Sequence, residues 1–392
     1  MNWLLIKIFL NFKMYLSYSE EHLLIQKAAK DFTQNELKPG VISRDSNSLY
    51  PKIGVKRMAE LGFLGMTVSQ KYGGGGMDTL SYSIAVEEIS KVDNSCSVIM
   101  SAHNSLACWG IEEYGDEYQK DKYLKKLATG KTIGAFCLSE PESGSDATQQ
   151  KTTAIKKGDY YLLNGTKNWI TNGEKAGIYV VIAQSDSEKG YKGINAFIVE
   201  ANSKGLTTGI KEDKLGIRSS DTSSVMFQDV IVPKENRLGS EGFGFKYAMK
   251  TLEGGRIGIA SQALGIAQGA YELSLKYSKQ RKTFGKSISQ HQAIAFKLAD
   301  MATDIEAARL LVQKSAFQKD NNKPYGLSSS MAKLFASEMA MKHTLEAVQI
   351  HGGYGFVKEY HVERLMRDAK ITQIYEGTSE IQKIIISRSL LK

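Results

Sequence analysis

Several stretches of the sequence combine residue types that do chemistry with spacings that hold them in place. The first is IYEGTSEIQ, Ile374 to Gln382, which sets one carboxylate, Glu376, between an apolar pair and a Gly-Thr-Ser step. Ser379 and Gln382 have the spacing of a capping box, so a helix is expected to begin just after Gly377. A carboxylate there sits beside the positive end of a helix dipole and serves as a cap, a surface charge or a base. The apolar neighbours Ile374 and Tyr375 and the permissive Gly377 favour a pocket. The second stretch is CLSEPESGSD, Cys137 to Asp146, a β-like run that breaks into a polar Gly-Ser turn. Alone, it reads as a β-bulge with a polar turn. RKTFG, Arg281 to Gly285, reads alone as a basic cap closing a long helix. His351, in QIHGGYGF, reads alone as a structural histidine. Arg256, in LEGGR, is either an anion partner or an arginine paired with a nearby carboxylate.

Three regions must position these residues. From Ser17 to about Gly130 the pattern is helical, with EEHLLIQKAAKDFTQNEL, YPKIGVKRMAELG and TLSYSIAVEEISKV as candidate helices. Ser17 and Glu20 suggest a capping box at the start. Met1 to Lys13 is expected to lie outside the fold. From Lys131 to about Gly239 short β-rich runs appear, among them TIGAFCLSE, DYYLL, KNWIT, IYVVIAQS, INAFIVEA and SSVMFQDVIV. Asn164-Gly165 and Asn172-Gly173 predict hairpin-type turns. From Glu241 onward long helices return. Ile294, Leu298, Met301, Ile305, Ala308 and Val312 form one apolar stripe, and Met331, Leu334, Met341, Leu345 and Val348 a second. Lys323-Pro324 marks a turn between these helices. The preceding helix carries Gly254, Gly255, Gly258, Gly265 and Gly269, which mark close approach of a neighbour. The fold class is α+β: an N-terminal all-α domain over 14–130, a middle antiparallel β-barrel or sandwich domain over 131–240, and a C-terminal four-helix bundle over 241–392.

Bulk properties narrow the function. At 392 residues, 42% hydrophobic and 24% charged, the chain is an ordinary globular protein of two or three domains. The net charge of +9 reads as a Lys-rich solvated surface or as a preference for an anionic, phosphate-bearing partner. No basic-aromatic stripe supports nucleic acid binding. Cys96, Cys108 and Cys137 are scattered, which fits a reducing compartment and excludes a cysteine-built metal site. No metal site is expected, and no apolar run approaches the roughly 20 residues of a membrane span. The absence of G-x-G-x-x-G after a strand argues against a Rossmann nicotinamide site.

Taken together, CLSEPESGSD and QIHGGYGFVKEYHVERLMRD resemble the acyl-CoA dehydrogenase family of flavoproteins, from about Ser17 to the end of the chain. VIMSAHNSL, KEDKLGIR, GRIGIASQALGIAQ and IYEGTSEIQ resemble its short-chain, butyryl-type members. The resemblance implies FAD as cofactor. It implies that Phe136, Cys137, Leu138, Ser139, Glu140, Pro141, Glu142, Ser143, Gly144 and Ser145 lie along the flavin, with Trp169, Ile170 and Thr171 covering the ring. Ser145 would also face substrate. Arg281, Thr283 and Gln292, with Gln349, Ile350, His351, Gly352 and Gly353, would reach the FAD of a neighbouring subunit in a homotetramer. Thr378, Ser379 and Glu380 complete the implied cofactor set. Glu253, Gly254, Gly255, Arg256 and Gly377 are implied at the acyl-CoA. Glu142 and Gln149 depart from the family pattern, standing where smaller residues are usual.

By the same resemblance Glu376 is the base that takes the α-proton of an acyl thioester. A free Glu, with a pKa of about 4.3, is too weak for that task in water, so the site must desolvate it. Some relatives place the base at the residue matching Gly255, which here cannot take a proton. The implied reaction forms a trans-2-enoyl-CoA, with an electron-transferring flavoprotein as acceptor and the cytoplasm as location. Two other readings share parts of these motifs: an acyl-CoA oxidase of the same fold, and a DNA-binding relative of the alkylation-response flavoproteins.

Overall fold

The computed structural model describes residues 18–391, which form two compact units. The first unit gathers the chain up to Ser43, residues Asp78–Ser97 and everything from Arg256 on. The second gathers Arg44–Met77 and Val98–Gly255.

Seven helices carry the first unit: α1 (Glu20–Phe32), α2 (Thr79–Ser90), α3 (Gly244–Gln280), α4 (Gln292–Asp320), α5 (Gly326–His351), α6 (His361–Thr372) and α7 (Ser379–Leu390). The residues of α3 from Arg256 onward belong to this unit and the earlier ones to the second. The expected cap at Ser17 lies outside the described residues; α1 is capped by Ser19, with the His22 ring accepting from the Ser19 N–H to close the box. The first stripe is as expected, with Leu298, Met301, Ile305, Ala308 and Val312 buried on α4. The second is not. On α5 the buried face is Ala332, Ala336, Ala340, His343 and Ala347, while Leu345 is 50% exposed. Small residues allow α5 to pack tightly against α3, α4 and α6, whose Ala260, Met301 and Leu365 share its core cluster. The glycines of α3 do mark close approach: a Cβ at Gly265 would meet the Glu87 carbonyl oxygen of α2 at 2.3 Å, and one at Gly269 that of Lys91 at 2.3 Å.

The second unit is built on one sheet: β1 (Ile133–Cys137), β2 (Thr153–Lys157), β3 (Tyr160–Thr171), β4 (Ala176–Gln184), β5 (Ile194–Glu200), β6 (Leu206–Thr208), β7 (Thr222–Pro233) and β8 (Arg237–Leu238). The order is β6-β7-β3-β2-β4-β5-β8, with β1 alongside β4. Most pairings are antiparallel, but β1 and β2 run parallel to β4. Neither Asn-Gly step makes a hairpin. Asn164-Gly165 lies inside the long strand β3, where the β3–β7 register shifts, so the glycine serves a bulge. Asn172, at φ 64°, turns the chain from β3 to β4, which are not paired with each other. Tyr161, Leu163, Val181, Phe197, Val225 and Val230 fill one face of the sheet.

Candidate active site

Glu376 occupies the loop between α6 and α7. Its backbone is left-handed at φ 53°, and Gly377 follows at φ 96°. A non-glycine residue there is strained, and such strain persists only where the surroundings fix it. Four side chains do so. Lys333 Nζ, from α5, donates to the Gly377 carbonyl at 2.7 Å. Gln382 Nε2, from α7, donates to the same oxygen at 2.9 Å and to that of Glu376 at 3.3 Å. The Tyr375 hydroxyl donates to Gln262 of α3. Glu338 of α5 accepts from Gln373 Nε2 at 2.8 Å and from Ser379 Oγ at 2.5 Å, tying both ends of the loop together.

The cap of α7 is Thr378, whose hydroxyl accepts from the Ile381 N–H, and not Ser379. Gln382 is therefore free to hold the two carbonyls. The apolar pair is also split: Ile374 is 47% exposed, so the enclosure of Glu376 does not come from it. Glu376 is partly buried as a residue, but its Oε2 is covered and has no hydrogen-bond partner among the described residues. Burial pushes its carboxyl up to about 7, against the pull of the Lys333 and Arg256 cations. A carboxylate so tuned is poised to exchange a proton near neutral pH. Arg256 is buried, with Nη1 donating to Ser330 Oγ at 3.4 Å. Glu253 takes an ion pair from Lys250 at 2.9 Å, and Gly254 and Gly255 lie buried on α3.

In the second unit β1 runs into the loop 138–150. The Glu140 and Ser143 backbones bond each other, and the Asn168 N–H donates to the Ser139 carbonyl at 2.8 Å. That bond brings Ser139 and Trp169 together, although they are thirty residues apart in the chain. Trp169 sits at φ 60° with 61% of its surface exposed. Ser139, Ser145 and Thr171 make no side-chain hydrogen bond to the described residues, and a Cβ at Gly144 would meet nothing. Free hydroxyls, an open glycine and an uncovered aromatic face fit a flat heteroaromatic ring with carbonyl acceptors, as in a flavin. Glu142, Pro141 and Gly144 lie at the surface of this loop. Phe136, Cys137 and Leu138 point into the core, so only their backbone can serve a ligand. The same holds for Ile170, whose side chain packs within the sheet core. Glu140 is spent on Lys167, at 2.6 Å.

Arg281, Thr283, Gln292 and the Gln349–Gly353 stretch come together at one end of the bundle. After α3 a hairpin pairs Lys282–Thr283 with Lys286–Ser287, carrying Phe284, 95% exposed, at its tip. Arg281 lies over the Tyr354 ring at 5.7 Å. This places Arg281, Thr283 and Gln292 on the same end as Gln349, Gly352 and Gly353. Gly352 ends α5 at φ 59°, and neither glycine would meet an atom on gaining a Cβ. Ile350 is buried, and His351 is structural in its contacts: Nδ1 donates to the Ala347 carbonyl at 2.8 Å and the ring stacks on Tyr277. Ser379 is committed to Glu338, and Glu380 is exposed.

Comparison with known proteins gives the family. Profiles described as Acyl-CoA dehydrogenase N-terminal, middle and C-terminal domain match residues 19–131, 135–230 and 242–391. The short-chain specific acyl-CoA dehydrogenase of Clostridium acetobutylicum is 50% identical over 97% of this chain and 100% of its own. The chain belongs to the acyl-CoA dehydrogenase family. The solved butyryl-CoA dehydrogenase from Megasphaera elsdenii is 49% identical, with a TM-score of 0.95 over 96% of this chain and 100% of that one. A chain in a solved structure of the electron transferring flavoprotein of Acidaminococcus fermentans is 50% identical, with a TM-score of 0.95 over 96% and 99%. Acyl-CoA dehydrogenases are FAD-dependent, and the loop after β1 in this one offers the donors described above.

Sequence reasoning missed the residues that hold this dehydrogenase's Glu376 loop: Lys333, Gln262, Gln382 as a carbonyl donor, and Glu338. It also missed Lys167 beneath the loop after β1. Gly377 carries a direct prediction. A Cβ there would meet Gln382 Nε2 at 2.6 Å in a backbone that L-residues avoid. Gly377→Ala is expected to cost about 1–3 kcal/mol and to slow turnover far more than it weakens FAD binding. Thermal melts and bound-flavin content measured beside turnover check this; equal losses in all three contradict a local effect.

Proposed function

We propose that this protein is an FAD-dependent dehydrogenase of short-chain acyl-CoA thioesters, a step of fatty-acid β-oxidation. The observation that carries the proposal is Glu376: a carboxylate held by a strained turn, with a covered oxygen that has no hydrogen-bond partner among the described residues, and pushed up to about 7 by burial.

Bound FAD supplies the acceptor for a hydride from the substrate β-carbon. Glu376 takes the α-proton, so the two C–H bonds lost leave a trans-2,3 double bond and the electron count balances. The Glu376 N–H makes no hydrogen bond among the described residues and is the donor we assign to the thioester carbonyl. Arg256, Glu253, Gly254 and Gly255 are assigned to the acyl-CoA. Ser139, Ser145, Thr171, Trp169 and the backbone from Phe136 to Gly144 are the groups that would hold the flavin. Arg281, Thr283, Gln292 and the Gln349–Gly353 stretch serve the FAD of a neighbouring copy in a homotetramer; the exposure of Arg281, Gln292, Gln349, Gly352 and Gly353 supports this. An electron-transferring flavoprotein is the acceptor, as the likeness to the Acidaminococcus chain supports. Three free, buried cysteines support a reducing, cytoplasmic location, and no helix among the described residues is long and apolar enough to cross a membrane.

Anaerobic titration of the yellow protein with butyryl-CoA is expected to bleach the flavin. Slow reaction of the reduced protein with oxygen separates this reading from an oxidase. Butyryl- or hexanoyl-CoA is expected to exceed dodecanoyl-CoA in kcat/KM. Neighbouring lengths differ modestly, since a buried methylene contributes only about 0.8 kcal/mol. No bleaching, or an optimum at dodecanoyl-CoA, overturns the proposal.

A further inference from the structure

We propose that Lys333 is a positioning residue for Glu376: it pins the left-handed turn that carries the base and presents a buried cation to it. This rests on reading Glu376 as the base.

Lys333 lies on the small-residue face of α5 and is fully buried. An ammonium has three N–H donors and is costly to bury without acceptors. Among the described residues this one donates to a single atom, the Gly377 carbonyl, at 2.7 Å. Packing does not account for such an arrangement, because an apolar side chain would fill the same space without the desolvation cost. The carbonyl it holds has both lone pairs engaged, the second by Gln382 at 2.9 Å. Two donors from two helices thus fix the peptide that follows Gly377, and Gln382 also reaches the Glu376 carbonyl at 3.3 Å, so together they hold the two-residue turn whose left-handed φ of 53° aims the carboxylate.

The charge has its own role. The charged groups acting here are Lys333 on α5 and Arg256 on α3, which favour an ionised Glu376, and Glu338 and Glu380, which favour a charged Lys333. Tyr375, beside Glu376, is held neutral by burial. Burial lowers Lys333 to about 8 despite Glu376, so below that pH the cation is present while the base works. Burial alone would leave Glu376 protonated at neutral pH; the two cations offset part of that effect.

Four variants of the FAD-loaded protein test this, by anaerobic stopped-flow flavin bleaching with butyryl-CoA across pH 6–9. Lys333→Gln keeps an N–H donor and loses the charge. Its midpoint for flavin reduction should move up by about one pH unit or more, because the carboxylate keeps its proton longer. Lys333→Arg should restore the midpoint. Lys333→Met loses donor and charge, and should slow reduction about 10²-fold even at high pH while still binding the enoyl-CoA product, read by flavin absorbance. Gln382→Leu should slow reduction without moving the midpoint. A wild-type midpoint in Lys333→Gln overturns the electrostatic half. A wild-type rate in Lys333→Met or Gln382→Leu overturns the pinning, and Gln382→Leu decides it if the Lys333 variants do not fold. Fast reduction in Glu376→Gln instead removes the reading beneath, leaving the two failures distinct.

Discussion

Glu376→Gln is expected to bind FAD and acyl-CoA as the parent does and to reduce its flavin at least about 10²–10⁴-fold more slowly, the usual worth of a general base. The substitution keeps shape and backbone. Lys333 and Gln382 bond to main-chain carbonyls of the loop rather than to the Glu376 carboxylate, so the turn should survive. What is lost is one proton acceptor, tuned to about 7 by burial. The parent's kcat/KM should accordingly rise with pH through about 7, because the base acts only when deprotonated. In Glu376→Gln that rising limb should vanish. Single-turnover flavin bleaching without oxygen measures both. A glutamine variant that reduces at the parental rate places the base elsewhere.

The second large effect lies under the loop after β1. Lys167 is fully buried, and its ammonium donates to the Leu138 carbonyl at 3.1 Å, to Glu140 Oε1 at 2.6 Å and to Gln150 Oε1 at 2.5 Å. Glu140 also accepts from the N–H of Lys151 at 2.6 Å and of Thr152 at 3.0 Å. One cation therefore ties the start, middle and end of the loop that we assign to the flavin. Burial opposes the Glu140 charge, but Lys167 and the amides outweigh it and hold the carboxyl below its usual range. Lys167→Met leaves that carboxylate buried without its partner and should cost about 3–5 kcal/mol, with loss of bound flavin. Adding Glu140→Gln should recover a good part of the stability, because no uncompensated charge then remains. Urea unfolding of the single and double variants decides: a Lys167→Met protein as stable as the parent would mean the pair is not ionised.

These two sites differ in how far the sequence disclosed them. Glu376 stands out as an acid between an apolar pair and a Gly-Thr-Ser step, but spacing alone leaves it a cap, a surface charge or a base, and the base role comes from the family resemblance. The neighbouring hydroxyls of Thr378 and Ser379 offer two caps one residue apart, and spacing alone selected the wrong one. Lys333 had no such signal. Its partner is a backbone carbonyl 44 residues downstream, and an isolated lysine on a helix reads as solvated. The α5 stripe failed for a related reason: hydropathy weights Leu345 above Ala340, while close helix packing buries the smaller residue. The β elements were legible by composition, yet Asn164-Gly165 reads the same in a hairpin as in the bulge it forms. The flavin-facing groups are mostly backbone or single hydroxyls, which carry little pattern outside a known motif.

The first unit is assembled from three separated pieces of chain, and this orders events on the ribosome. Helix α2 is emerged early, yet eleven of its twelve residues are buried in the finished protein. One of them, Glu87, pairs with Arg309, 222 residues later. At roughly 5–20 residues per second that partner arrives roughly 10–45 s after it is needed. For that interval α2 has α1 beside it but lacks α4, and the face that α4 covers depends on transient shielding. Translation pauses or stop codons anywhere between Gly255 and Arg309 should therefore yield aggregation of the helical N-terminal segment rather than a partly working enzyme.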